Sequence, residues 1–551
     1  MLRYKFISSL DKPFLDQSPS DHPTLSALSM LKNERISLQL IITDDSPAAP
    51  HRRFVGIKPE GALAPFVTLR MLESVPSVMP AYPGRSDEGY LRLTPGLYPD
   101  LLAPMQMEGS APCVPGQLHS VWVDIDPRGE LPGGNYTLTL RLCDGAHTER
   151  ANLSVKVIGA DLPQNELRFT QWFHCDCLAD YYHVPIFSER HLEIIENFVR
   201  TAVKNGINML LTPVFTPPLD THIGGERPTV QLTDVKCLPG GGYEFGFSRL
   251  DRWIDMCDRC GVEYFEISHL FTQWGALHAP KIMAEGEDGR LFRLFGWETD
   301  ATSAEYTAFI RAFLAAFIEH MKRRGDDTRC YFHISDEPHA ENLEQYLSAK
   351  ETISDLLCDY PIMDALSDYE FYKTGAVTTP IPCSNKIEPF IEGGVRPLWT
   401  YYCCGQCLGV SNRFLAMPGA RTRFIGMQFY KYDIFGFLQW GYNFYNNQGS
   451  YDPIDPYLDS TGNYFVPSGD AYSVYPARDG TALESMRIVE FREAIDDLRA
   501  ARLAERLVGR ERVLAAIEAL AGEVVFSRCV CDTETMLAIR ESINSLIAEN
   551  I

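Results

Sequence analysis

Between residues 168 and 480 the chain repeats one pattern eight times: a short apolar or aromatic run, an amphipathic stretch, then the next run. The runs are FTQWFH (169–174), NMLLTPVF (208–215), VEYFEIS (262–268), RCYFHIS (329–335), PIMDAL (361–366), AVTTPI (376–381), PLWTYY (397–402) and FGFLQW (435–440). Strands alternating with helices are the sequence form of repeated βα units, and eight of them predict a (β/α)8 TIM-like barrel of the α/β class. The helical stretches carry their own stop and start signals. One opens at Ser188, a residue that can cap free N–H groups, and closes at Gly206, a residue free to turn left-handed. Another runs from Ser303 and puts Lys322, Arg323 and Arg324 in its last turn, where the helix dipole favours cations. Two intervals, 216–247 and 269–302, are too long for minimal βα loops, which marks the second in particular as functional.

The 551 residues suffice for two or three domains. Residues 1–160 hold alternating runs at 36–42, 119–126, 136–142 and 151–159, broken by Pro, Gly and Asp clusters, which predicts an N-terminal antiparallel β-sandwich domain. A polar segment at 160–167 links it to the barrel, assigned to 168–480. Residues 481–551 return to helical periodicity and form a C-terminal helical extension.

A net charge of -23 repels polyphosphate and anionic lipid, so no nucleic acid and no membrane is expected as a partner, and a small neutral molecule is. No run approaches 18 apolar residues, and the N-terminal MLRYKFISSLDKPFLDQ has no apolar core before a cleavage site, so a cytoplasmic protein is expected. Fifteen cysteines, an odd number in a long chain, read as reduced thiols. Cys257-x-x-Cys260 comes nearest to a zinc spacing but has no second pair, and His174, Asp176, His222 and His269 show no ligand spacing, so neither a metal nor a cofactor is expected. Nothing in the sequence speaks to oligomeric state.

Barrel chemistry sits at the C-terminal ends of the strands. The fourth run continues into Ser335, Asp336, Glu337 and Pro338, which puts two adjacent carboxylates on that rim, and paired carboxylates are the equipment of glycoside hydrolysis. An acidic turn before a helix is the plainer alternative. The seventh run ends in Tyr401, Tyr402, Cys403 and Cys404 and the eighth in Trp440, Gly441, Tyr442 and Asn443, neither with an acid to serve as nucleophile. Three readings stay open. A 2-acetamido group of the substrate can attack its own anomeric carbon while one acid orients it and the other protonates the leaving oxygen. Asp364 or Asp368, after the fifth strand, can act as a carboxylate nucleophile with Glu337. A degenerate barrel can bind carbohydrate without turnover. The remaining rim residues suit a sugar, which presents apolar C–H faces and hydroxyl edges: Trp172, His174, Asp220, His269, Trp274, Asp364, Asp368, Tyr401, Tyr402, Trp440 and Asn443. Trp440 is the best stacking platform, and one of Tyr401 and Tyr402 is a phenol for a developing oxazoline oxygen.

The strings QWFHCDCLADYY (171–182), EISHLFTQWGALHAPKI (266–282), FHISDEP (332–338), DALSDYEFY (364–372), LWTYYCCGQ (398–406) and GFLQWGYNFYN (436–446) together resemble the DUF4091 group, whose catalytic domain is similar to glycoside hydrolase family 123. The resemblance covers 168–480. It implies an exo-acting β-N-acetylgalactosaminidase that retains configuration by substrate assistance, in which Asp336 orients and stabilises the 2-acetamido group and Glu337 is the general acid/base.

Overall fold

In the computed structural model, residues 2–45, 53–105, 109–145 and 147–551 are described. The N-terminal part is two five-stranded sheets. One runs in the order Leu2–Ser8, Ile36–Asp44, His119–Ile125, Val67–Ser77, Gly96–Pro104, and the other Ala27–Leu31, His147–Ile158, Gly134–Asp144, Arg53–Glu60, Ser110–Cys113. All neighbours are antiparallel except Ala27–Leu31 beside His147–Ile158. Period-2 alternation builds the core: Leu38, Leu40 and Ile42 of the first sheet meet Leu138, Leu140 and Leu142 of the second. The first sheet is buried on its other face as well. Trp122, Tyr98, Leu72 and Leu102 point out of the sandwich into the large core of the rest of the chain.

The eight predicted strands are all present, in shorter form: Arg168–Gln171, Met209–Thr212, Tyr264–Ile267, Cys330–Phe332, Met363–Ala365, Thr379–Ile381, Trp399–Tyr401 and Gly436–Gln439. They are called first to eighth below. Ladders join six of them into one parallel sheet, in the order fourth, third, second, first, eighth, seventh. The fifth and sixth form a separate parallel pair. A single bridge, Phe332 to Ile362, touches one side of that pair, and another, Cys383 to Tyr401, the other side. The fold is thus mixed α/β, with antiparallel sheets first and a parallel sheet after them.

The helices start and stop where their capping residues dictate. Ser188 accepts from His191 N at the head of Glu189–Lys204, and Ser303 accepts from Tyr306 N at the head of Ala304–Arg324, which ends at left-handed Gly325. The two long intervals pair with each other: Tyr243–Gly246, Asp234–Cys237, Ile282–Glu285 and Leu291–Phe295 make a four-stranded sheet that packs Tyr243, Phe245 and Phe295 on Phe309. Met486–Val508, the first helix of the 481–551 segment, is buried along most of its length, and its Phe491 stacks on Phe169 and Phe437 of the first and eighth strands. It lies between the parallel sheet and the sandwich. Arg510–Ala521 and Thr533–Ala548 pack outside it. No helix among the described residues is long and apolar enough to cross a membrane.

Candidate active site

The C-terminal ends of the strands converge on Asp336 and Glu337. Glu337 stands at φ 43°, left-handed for a residue with a Cβ, and the loops around it share that strain: Asp220 at 45°, Trp274 at 59° and Ala276 at 57°. Such conformations cost of order 1–3 kcal/mol each and persist only where the surroundings enforce them. Here the enforcement is visible: Trp274 N donates to the Asp336 carbonyl at 2.9 Å, and Asp220 N donates to Gln273 Oε1 at 2.8 Å. The loops after the third and fourth strands are locked together by their backbones, and the Gln273 side chain ties in the loop after the second.

Tyr401 donates its hydroxyl to Glu337 Oε1 at 2.6 Å. Its neighbour Tyr402 points the other way, onto Phe437 and Phe491, with its hydroxyl unbonded, so of the two phenols Tyr401 faces the pair. Burial, then the charges of Glu337 and Asp220, push the Asp336 carboxyl well above the usual carboxylate range. Burial raises Asp220 to about 7, with Glu337 and Asp470 adding to the rise and Arg227 opposing it. The cavity therefore gathers carboxyls with too few cations to ionise them all at neutral pH.

Trp440 is held by its indole N–H, which donates to Asp470 Oδ2 at 2.8 Å, and its ring lies against Phe444 and Phe465. Trp172 donates to Glu266 Oε1 at 2.7 Å and sets its edge on His269, whose ring stacks 4.2 Å from His333. Burial and the His333 charge hold His269 well below the usual histidine value, so it is neutral, and its Nδ1 has no partner. Trp274 is 46% exposed and stands on the outer rim beside Asp336.

Other expected contacts are occupied elsewhere. His174 is buried, with Nε2 3.1 Å from the Trp440 carbonyl and Nδ1 3.2 Å from Arg227 Nη2, and burial lowers it to about 3, a neutral packing residue. Asn443 spends its whole amide on the backbone of His174. Asp364 lies in the core under the rim, accepting from Ile334 N, Tyr346 OH and His333. Asp368 caps the helix Tyr369–Lys373 by accepting from Phe371 N. These four, with Tyr402, were expected to contact a sugar, and the structure shows them bonded to or packed on their own scaffold, which a strand-end position does not reveal. The four residues considered for a metal are likewise separated. His174 and Asp176 bond Arg227, His222 stacks on Tyr451 and His269 on His333. Among the described residues no group of three or more such side chains could hold an ion.

The site also contains residues not foreseen. Asp470, raised by burial to about 6, comes from the long segment after the eighth strand, where no positional rule points. Arg227 reaches in from the 216–247 interval and clamps Asp176 with two bonds at 2.7 and 2.8 Å. Glu266 sits inside the third strand and His333 directly after the fourth, and the inward parity of EYFEIS and FHIS was the available signal. The sandwich takes part too. Its 78–95 segment crosses the mouth of the sheet, bonding Met79 O to Ser468 N, Tyr82 OH to Phe465 O and Arg85 to Gly405 O. Asp87 anchors it with a bidentate pair to buried Arg421.

Such a site, carboxyls beneath aromatic walls at the ends of parallel strands, is that of a carbohydrate-active enzyme. A family model described as "Glycoside hydrolase 123, catalytic domain" matches residues 172–504, and the chain belongs to glycoside hydrolase family 123. A family 123 glycoside hydrolase from Clostridium perfringens, studied for glycolipid glycan hydrolysis, superposes with a TM-score of 0.75 over 100% of this chain and 98% of its own, at 14% identity, a likeness of fold. An endo-β-1,4-mannanase from Thermotoga petrophila aligns at a TM-score of 0.34 and 13% identity over 62% of this chain and 78% of its own, and nothing rests on it. No curated protein matches the chain.

Proposed function

We propose that this glycosidase is an exo-acting, retaining β-N-acetylhexosaminidase that prefers N-acetylgalactosamine and uses the substrate's own 2-acetamido oxygen as nucleophile. The single observation that carries the reading is the adjacent pair Asp336–Glu337 at the end of the fourth strand, with Tyr401 bonded to Glu337 and a Tyr–Tyr–Cys–Cys run at the seventh strand where a carboxylate nucleophile would otherwise stand. On this reading the eight parallel strands are a (β/α)8 barrel, closed through the two bridges that flank the fifth and sixth strands.

The chemistry follows from the charges. Asp336 resists ionisation in the free site, so the cavity holds a proton at neutral pH. An amide N–H donated by the substrate favours ionised Asp336 and leaves the proton for the leaving oxygen, the role given to Glu337. The acetamido oxygen then closes on the anomeric carbon while Asp336 balances the positive charge that develops on the nitrogen. Water, deprotonated by Glu337, opens the oxazoline with configuration retained. A carboxylate nucleophile from the fifth strand fits less well: Asp364 is saturated by three donors, and Asp368 is spent on a helix cap.

The test compares an aryl 2-acetamido-2-deoxy-β-galactoside with the corresponding β-galactoside. Hydrolysis of the first alone is expected, and equal turnover of the two refutes substrate assistance. A glycolipid-derived oligosaccharide ending in N-acetylgalactosamine belongs in the same panel, given the Clostridium perfringens relative's substrate.

A further inference from the structure

Beneath the catalytic pair the parallel sheet encloses a histidine whose two ring nitrogens both meet carboxylates. His333 Nε2 is 2.7 Å from Glu266 Oε1, and Nδ1 is 3.2 Å from Asp364 Oδ1. All three side chains are buried. The other bonds to these carboxylates decide the protonation. Glu266 also takes Trp172 Nε1–H at 2.7 Å on Oε1 and the Thr170 hydroxyl at 2.5 Å on Oε2. Asp364 also takes Ile334 N–H at 3.1 Å on Oδ1 and the Tyr346 hydroxyl at 2.5 Å on Oδ2. Both carboxylates are therefore surrounded by donors; burial pushes the Asp364 carboxyl up, while the bonds from His333, Tyr346 and Ile334 N–H oppose that rise, and a ring placed between two ionised acceptors must donate at both ends, which only the imidazolium can do.

We propose that His333 is a positioning residue that stays doubly protonated throughout the working pH range, tying the strand that carries Asp336 and Glu337 to the third and fifth strands and setting a fixed positive charge beneath Asp336. The proposal rests on the reading of Asp336 as the acceptor of the substrate's amide. Burial on its own lowers a histidine, but the bonds and charges of Asp364 and Glu266 outweigh it and push His333 up to about 9. The neighbours agree in sense. His269, stacked face to face, is held neutral in part by the His333 charge, so the aromatic floor under the sugar keeps one cation and one neutral ring. Around Asp336 the groups that oppose its ionisation are Glu337, Asp220 and Asp364, and His333 is the charge that favours it. Without that cation the carboxylate needed to receive the amide N–H forms only at higher pH.

Two measurements on the full chain test this. Nitrogen-15 spectra of histidine-labelled protein, with His333 assigned by its absence in His333→Gln, are expected to show the imidazolium signature unchanged from pH 5 to pH 8. Titration near the ordinary value of about 6.5, or a neutral ring throughout, overturns the proposal. In kinetics on the aryl N-acetylgalactosaminide, His333→Gln is expected to lower kcat and move the acidic limb of kcat/KM upward by about one pH unit. Tyr346→Phe, which removes a donor to Asp364 but keeps the cation, should leave that limb in place. An unmoved limb in His333→Gln, with only a lowered Tm, makes His333 a packing residue and refutes the role. Should His333→Gln fail to fold, the wild-type spectra decide: one of the thirteen histidines is expected to stay doubly protonated at pH 8, and the absence of any such ring at that pH overturns the proposal. Absence of wild-type turnover would fault the substrate reading and leave the spectral test standing.

Discussion

Replacing Arg487 by Met should separate stability from activity in this protein. Arg487 and Asp100 are fully buried, one on the helix Met486–Val508 and the other on the sandwich strand Gly96–Pro104, and they form a bidentate pair at 2.8 and 2.9 Å. The same guanidinium donates to the carbonyls of Gly469 and Tyr472, on either side of Asp470. Removing one partner of a buried pair costs about 3–5 kcal/mol, because the other charge is left without compensation in a dry site. Asp100 would keep only the Tyr475 hydroxyl, at 2.5 Å. With an unfolding slope of roughly 4 kcal/mol/M, above the 1–3 of small proteins, the urea midpoint should fall by about 1 M.

The double variant Arg487→Met/Asp100→Leu removes both charges together. Apolar replacement of a whole buried pair is often neutral or better, so most of the lost stability should return, short by about 1–2 kcal/mol for the orphaned Tyr475 hydroxyl. Activity should not return. The donors to Gly469 and Tyr472 are still missing, the loop bearing Asp470 is loosened, and Trp440, which Asp470 orients, loses its fixed plane. Urea unfolding followed by tryptophan fluorescence, together with kcat/KM of the same three proteins, checks both halves. A single-variant loss under about 1 kcal/mol, or recovery of stability and activity in step, refutes the reasoning.

Tyr401→Phe should lower kcat about 10–100-fold with little change in KM, since the phenol bonds the acid/base residue rather than a resting substrate group; steady-state kinetics at fixed pH checks it. Asp220 is raised from 3.8 to about 7 in the folded protein, so between those pH values the native state holds a proton that the unfolded chain has lost, and stability falls as pH rises through the window by up to about 4 kcal/mol. Asp220→Asn should accordingly raise Tm more at pH 8 than at pH 5, and calorimetry at the two values decides. Glu337→Gln should lose activity most on substrates with poor leaving groups and Asp336→Asn on all of them, seen as a steeper dependence of rate on leaving-group pKa for the first variant alone. Tyr82→Ala, in the sandwich segment that closes the mouth, should raise KM, because its hydroxyl fixes Phe465, which backs Trp440; a KM unchanged within twofold speaks against it.

Much of the fold was legible because periodicity reports burial. Seven of the eight expected runs contain their strands and the first strand begins one residue ahead of its run, while the sandwich strands fall within a few residues of their alternating segments, since a strand's pattern is set by which faces meet the core. The separation of the fifth and sixth strands into a pair of their own was not legible, because contacts as slight as the single bridge Phe332 to Ile362 depend on where two chain segments happen to touch. At the site, position relative to the strand ends drew attention to Asp336, Glu337, Tyr401 and Trp440, which the structure brings to one end of the parallel strands, but it could not distinguish an open side chain from a satisfied one. Asn443 and Asp368 look like sugar contacts by position and are backbone ligands by geometry. Asp470 was invisible for the opposite reason: it arrives from a segment of irregular structure fixed by Arg413, whose guanidinium holds the Asp470 carbonyl at 2.9 Å and the Gly441 carbonyl at 2.5 Å.

The acidity of the chain acquires a local meaning at this point. Asp220, Asp336, Glu337, Asp470, Glu266 and Asp364 crowd the ends and interior of the parallel strands, and the cations that accompany them, Arg227, Arg413 and His333, are all buried and bonded to protein groups. None is left free to attract an anionic ligand. A cavity that presents carboxyls without an available cation binds best a molecule that is neutral and brings its own N–H and O–H donors. The proposed N-acetyl amino sugar meets both conditions: its hydroxyls can donate to raised carboxyls such as Asp220, and its amide N–H can offset the cost of ionising Asp336.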